Sequence, residues 1–266
     1  SDVEFTKVSD SEAEYTLHVQ SEDIDSIVKA KFQVEDNILN FDITEVQNNG
    51  AVVINYLHIP QWSLVSVNNK GGAVAEFEGA SLSVDVDSIG DTNIVLDENY
   101  AATESESNWL YAFVSNDEMS AAIYSNSENN GFSRVVSSSY TVMEGEESYA
   151  AMGLGSARWV IQDPAMDTQN TVMPNTKVII TGDANANGEI NWQDGAIAVR
   201  EIIDNPQGWE EVADQVSLRI TSNFASLSAY PFLMELDNTK KVYLNTDGLG
   251  QKIIMKGYGG EGHDSN

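Results

Sequence analysis

Short runs of alternating apolar and polar residues, punctuated by polar turn clusters, fill the first 180 residues, and this pattern restricts the chain to sheets packed on sheets. From Ala13 to Gln20 the apolar positions Tyr15, Leu17 and Val19 share one face, and Ser26 to Val34 continues through Ile27, Val28, Phe32 and Val34. Asp36-Asn37 then separates that run from Ile38 to Val46, which predicts a β-hairpin. Further strands are predicted at 51–59, 64–67, 74–77, 82–86, 109–114, 120–124, 134–143, 157–161 and 177–180. Gln47 to Gly50, Asn68 to Gly72, Asn126 to Gly131 and Glu144 to Glu147 supply the turns. Such punctuation argues for a mainly β chain built on a large antiparallel β-sandwich. With 266 residues, it is long enough to bury a core without covalent staples.

Charge narrows the partners. Asp and Glu number 42 against 13 Lys and Arg, for a net charge of −29. Such a surface repels nucleic acid and anionic lipid, so neither is expected as a partner. The chain has no cysteine, which excludes disulfides, thiolate zinc sites and thiol nucleophiles. No apolar run reaches the roughly 18–20 residues of a membrane span, so direct membrane insertion is not expected. The first residues, Ser1-Asp2-Val3-Glu4, lack the features of a signal peptide, and a secreted parent would carry its signal upstream.

Near residue 182 the pattern changes. Asp183-Ala184-Asn185-Ala186-Asn187-Gly188-Glu189-Ile190-Asn191-Trp192-Gln193-Asp194 fits an EF-hand-type loop, with oxygen ligands at alternate positions and glycine at the sixth. Asp183, Asn185 and Asn187 take the first three ligand positions, Glu189 offers its carbonyl, and Asp194 closes the loop. Ca²⁺ takes roughly six to eight hard oxygens, which this set can approach, and its role here is expected to be structural. The loop is preceded by a strand rather than a helix and ends on Asp rather than Glu, both features of dockerin-type loops. An Asn-Gly turn that binds no metal is the rival reading. Helices are predicted over 192–204, stopped by Asn205-Pro206, and over 209–224, followed by strands at 241–245 and 252–256.

Catalytic constellations are sparse. The three histidines are His18, His58 and His263, and the first two fall on predicted strands, where packed or surface roles are commoner than catalysis. No Gly-x-Ser-x-Gly or Gly-x-Gly-x-x-Gly motif occurs. The segment Gly257 to Ser265 directly follows a predicted strand, the position from which barrel enzymes present residues to substrate. Tyr258, His263 and Asp264 could hydrogen-bond sugar hydroxyls there, although a plain polar loop is an equal reading of the residues alone.

Three stretches together resemble the endo-α-N-acetylgalactosaminidases of glycoside hydrolase family 101: Gly182 to Ala198, Leu236 to Gln251, and Lys256-Gly257-Tyr258-Gly259-Gly260-Glu261-Gly262-His263-Asp264-Ser265. The resemblance implies a galactose-mutarotase-like supersandwich placed before a (β/α)₈ barrel. It also implies secretion or display at a bacterial cell surface. The activity it implies is release of galactosyl-β-1,3-N-acetylgalactosamine from Ser or Thr of mucin-type O-glycoproteins, with retention of configuration. His263 and Asp264 match the family's Gly-His-Asp motif and are implied to contact sugar, with Tyr258 a weaker candidate. The nucleophile and the acid/base lie on later barrel strands in that family, so no catalytic residue is assigned and this chain alone is expected to be inactive.

The expected organisation is a sandwich over 1–181, a calcium-loop and helical linker over 182–235, and the beginning of a truncated barrel over 236–266. A strand with no following helix has an uncovered face, which makes the chain an expected portion of a longer protein. Two other functions compete. The sandwich could be a carbohydrate-binding module stacking sugars on Trp62, Trp109 or Trp159, or the chain a calcium-stabilised adhesion domain. Aromatic residues in strands are more often core, which ranks the first of these lower.

Overall fold

The computed structural model describes residues 2–58, 63–80, 91–127, 134–163, 168–169, 172–205, 207–221 and 231–257. In chain order its strands begin with β1 (Asp2–Lys7), β2 (Glu12–Gln20), β3 (Asp25–Glu35), β4 (Ile38–Asn48), β5 (Tyr56–Leu57), β6 (Val65–Asn68) and β7 (Ala75–Ala80). There follow β8 (Asp91–Leu96), β9 (Ser105–Trp109), β10 (Tyr111–Asn116), β11 (Ser120–Ser125), β12 (Val135–Glu144) and β13 (Glu147–Ser156). The short β14 (Trp159–Val160), β15 (Gln162–Asp163) and β16 (Thr168–Gln169) precede β17 (Asn175–Thr181) and helix α1 (Trp192–Ala198). Finally come β18 (Val216–Thr221), α2 (Phe232–Asn245) and β19 (Gln251–Lys256). Residues Ser1–Ile203 form one compact unit and Asp204–Asn266 a second.

The first unit is a large antiparallel sandwich. Nine strands form one sheet in the order β1-β2-β3-β4-β17-β11-β10-β7-β8, and a four-stranded sheet runs β6-β13-β12-β9. The expected hairpin is present: β3 pairs with β4 from Glu35↔Ile38 onward, with Asp36 in the left-handed region at φ 52°. Between the sheets, Phe77, Val114, Ile123 and Val178 of the larger meet Val135, Met152 and Leu154 of the smaller in one apolar cluster. The opposite face of the large sheet is covered too. Phe113, Ala122, Tyr124 and Ile179 pack against Ala198, Val199 and Ile202. Strands buried on both faces explain why Ala112-Phe113-Val114 and Ala121-Ala122-Ile123 read as continuous apolar runs.

Several sequence expectations change. The single strand predicted at 109–114 is two, because the chain leaves the small sheet after Trp109 and enters the large one at Tyr111. The predicted strands at 51–59 and 157–161 shrink to the β5–β14 bridge. Conversely, β13 carries no strong strand signal because Ala150, Ala151, Gly153 and Gly155 are small. A side chain at Gly153 would place its Cβ 1.5 Å from Ser63 Oγ, so close chain approach requires glycine there. The predicted strand at 82–86 lies outside the described residues.

In the second unit, the helix predicted over 209–224 is a short 3₁₀ turn, Trp209–Val212, followed by strand β18. The period of Val216, Leu218 and Ile220 is two, a strand signal that outweighs the helical reading. The strand predicted at 241–245 is instead the end of α2, whose carboxy-terminal turns it forms. The strand expected at 252–256 is present as β19 and pairs in parallel with β18, from Val216↔Gln251 to Thr221↔Lys256. A β-α-β unit results. Parallel strands normally have both faces covered, yet Leu233, Leu244 and Ile254 are 81%, 75% and 52% exposed. Among the described residues no helix is long and apolar enough to cross a membrane.

Candidate metal-binding loop

Strand β17 delivers the chain to Gly182, and the loop 183–194 closes onto the start of α1. Its side-chain oxygens fold inward onto its own backbone. Asp183 accepts hydrogen bonds from the amides of Asn187 (3.1 Å) and Gly188 (2.8 Å). Asn185 Oδ1 accepts from the same Asn187 amide at 3.0 Å, so oxygens from the first and third loop positions gather on one nitrogen. Asn187 Oδ1 accepts from Glu189 N at 2.8 Å. Gly188 sits at φ 87°, which glycine adopts without strain, and Ala186 at φ 58° accepts some strain to keep the loop tight.

Asp194 locks the two ends together. It is 0% exposed. Its Oδ1 accepts from Ala184 N (2.8 Å) and Asn185 N (3.2 Å), and its Oδ2 from Asn191 N (3.0 Å). Asn191 caps α1 by accepting from Gln193 N, which with Asp194 completes a capping box. Trp192 and Gly195 seat this end on the large sheet, Trp192 at 6.3 Å from the Phe113 ring and Gly195 directly over Ser120. The five proposed ligand residues, Asp183, Asn185, Asn187, Glu189 and Asp194, thus belong to one compact turn whose donor set is all oxygen, the chemistry of hard divalent cations. Among the described residues no group of three or more His, Cys, Asp or Glu is arranged to hold a metal.

Burial pushes the Asp194 carboxyl upward, but the amides of Asn191, Asn185 and Ala184 outweigh it and hold it below the ordinary aspartate value of 3.8. A carboxyl depressed in the folded state contributes stability that is present above its unfolded pKa and is lost as pH falls through the folded one. In chelator, near-ultraviolet circular dichroism should therefore hold steady from neutrality to about pH 4 and decay only below it. Loss of the signal above pH 5 would contradict this arrangement.

The other proposed site residues, Tyr258, His263 and Asp264, lie outside the described residues. His18 is half-buried on β2 and His58 is exposed. Trp109 and Trp159 are turned into the sandwich. Trp159 is 4% exposed and donates from Nε1 to Asn126 Oδ1, while Trp109 donates to Ser137 Oγ and packs on Phe77. Trp159 therefore offers no stacking face, and Trp109 is half-buried against the core cluster, which argues against these two as sugar platforms. Trp62 lies outside the described residues.

Comparison with known proteins bears on both units. Residues 1–192 match the family described as galactose mutarotase-like fold domain. Residues 193–266 match the endo-α-N-acetylgalactosaminidase family, glycoside hydrolase family 101. A Renibacterium salmoninarum protein provisionally named an endo-α-N-acetylgalactosaminidase is 35% identical over 249 residues, 89% of this chain. The chain spans 16% of the length of that relative. A GH36 α-galactosidase of Geobacillus stearothermophilus, solved with stachyose, superposes with a TM-score of 0.52 at 9% identity, covering 99% of this chain and 38% of that one. This likeness concerns the fold alone. An Escherichia coli K12 protein provisionally assigned as an aldose 1-epimerase gives a TM-score of 0.39 at 8% identity, over 68% of this chain and 69% of that one.

Proposed function

Since the chain belongs to the galactose mutarotase-like fold domain family through residues 1–192, and its remainder matches glycoside hydrolase family 101, we propose that it is the supporting portion of a retaining endo-α-N-acetylgalactosaminidase. The parent enzyme would release galactosyl-β-1,3-N-acetylgalactosamine from Ser or Thr of mucin-type O-glycoproteins, acting outside the cell or at its surface. The observation that carries this reading is the 35% identity over 249 residues, 89% of this chain. The exposed apolar side chains of α2 and β19 support it, because a barrel would cover them.

Retention needs two carboxyl groups about 5–5.5 Å apart, one as nucleophile and one as acid/base. We assign neither to this chain and place both in the part of the parent that it does not span. Tyr258, His263 and Asp264 are proposed to grip the N-acetylgalactosamine once the barrel is complete. The loop 183–194 is proposed to hold Ca²⁺, with Asp183, Asn185, Asn187 and Asp194 supplying side-chain oxygens and Glu189 its carbonyl. That ion would pin β17 to α1 and take no part in bond cleavage.

The decisive test is disaccharide release from an aryl α-glycoside, comparing this chain with one extended through the complete barrel. Activity confined to the extended chain is the expected result. Activity in neither would overturn the glycosidase reading, and activity in the short chain would overturn the placement of the carboxylates.

A further inference from the structure

A cavity of about 430 Å³ opens on the four-stranded sheet, within the size range of ligand pockets of roughly 300–1,000 Å³. Three segments wall it: the turn at Gly71 and Gly72, the connection between β8 and β9, and the β12–β13 hairpin. One side chain ties the three together. Asn69 donates from Nδ2 to the carbonyls of Asp97 (2.6 Å) and Tyr100 (3.3 Å), and its Oδ1 accepts from Ala150 N (2.8 Å). The walls are therefore fixed before any ligand arrives, which lowers the ordering cost of binding.

The lining defines the ligand. Tyr100 and Tyr149 line it, both half-buried, and the Tyr100 hydroxyl is engaged with Ser139 Oγ at 3.2 Å. Glu98 and Glu147 are exposed carboxylates at the same cavity, able to accept pairs of hydroxyl hydrogen bonds. Gly71 and Gly72 adopt φ 67° and 80°, and no atom lies within 4 Å of where their Cβ atoms would stand, so bare backbone forms one rim. The Lys70 ammonium pairs with Glu144 at 2.6 Å and sits 5.6 Å from the Tyr149 ring centroid. An anion is repelled by the glutamates. Rings beside hydroxyl acceptors are the complement of a neutral sugar, which has an apolar C–H face and a girdle of hydroxyl donors.

We propose that this cavity is a binding site for a neutral saccharide of about one or two rings, separate from the glycosidase site proposed above. It lies wholly within the first unit and uses no barrel residue, so its failure would leave the glycosidase reading intact, and the reverse holds as well.

The test is saturation-transfer NMR and titration of the 266-residue chain with galactose, N-acetylgalactosamine and galactosyl-β-1,3-N-acetylgalactosamine, with sialic acid as the anionic probe. At least one neutral probe should bind and sialic acid should not. Tyr149→Ala removes a ring, and Ala101→Trp fills the mouth from an exposed position. Each should weaken binding at least about tenfold, the equivalent of about 1.4 kcal/mol, while near-ultraviolet circular dichroism stays native. Should one variant fail to fold, the other decides. Absence of binding by every neutral probe, undiminished binding in the folded variants, or equal binding of sialic acid would each overturn the proposal.

Discussion

Asp194→Ala should lower the stability of the first unit by about 3 kcal/mol and its unfolding temperature by roughly 6–12 °C. The basis is the number of groups that one carboxylate satisfies. Three backbone amides, those of Ala184, Asn185 and Asn191, donate to it. Hydrogen bonds to a charged group contribute about 1.5–3 kcal/mol each, and a donor left without a partner costs about 1–3 kcal/mol. Water can reach the exposed Ala184, so the full sum is not expected. Loss of the capping box adds about 1 kcal/mol. Asp194→Asn keeps one acceptor oxygen and should fall between wild type and alanine.

Calcium separates the hydrogen-bonding role from the proposed metal role. With Ca²⁺ at about 100 times its Kd, the wild-type chain should gain about 2.7 kcal/mol over the same chain in chelator. Asp194→Ala should lose most of that gain in addition to its chelator-independent loss. Thermal unfolding, with and without chelator, measures both. A wild-type midpoint indifferent to calcium would overturn the metal proposal while leaving the three amide bonds to account for the loop. A midpoint unmoved by Asp194→Ala in chelator would overturn the structural role itself.

The loop was legible in the sequence because its information is local. The alternating Asp and Asn and Gly188 all lie within twelve positions of one another, and the tight backbone turn follows directly from them. Strands β2, β3 and β4 were legible for a related reason: each has one face toward the core, so alternation survives. What escaped depends on neighbours remote in sequence. The glycines of β13 look like a loop until Ser63 is placed against Gly153. The break at Leu110 is invisible because apolar residues run straight through it while the chain changes sheets. Strand β18 carried competing signals, helical composition against a period of two, and its partner β19 lies about thirty residues on. The saccharide cavity had no sequence signal, since its walls come from three segments joined by one asparagine.

Trp109 supplies the second large effect. Trp109→Ala should cost about 3 kcal/mol and lower the unfolding temperature by roughly 6–12 °C. Its ring lies 5.5 Å from Phe77, its Nε1 donates to Ser137 at 2.8 Å, and it packs against the main core cluster. Gly79 leaves room for it: a Cβ there would meet the indole carbons Cδ2 and Cε3 at 2.6 Å. Gly79→Ala alone should therefore displace the indole and cost about 1–3 kcal/mol. In the Trp109→Ala background the same substitution meets no ring, and an added methyl in a strand relieves the entropic cost of glycine, worth about 0.5–1 kcal/mol. The two changes should thus be non-additive, with a coupling of about 1–3 kcal/mol. Denaturant unfolding of the wild type, both single variants and the double variant measures that coupling directly. If Trp109 were instead a surface platform for sugars, its removal would weaken saccharide binding with little change in stability, and the coupling to Gly79 would vanish.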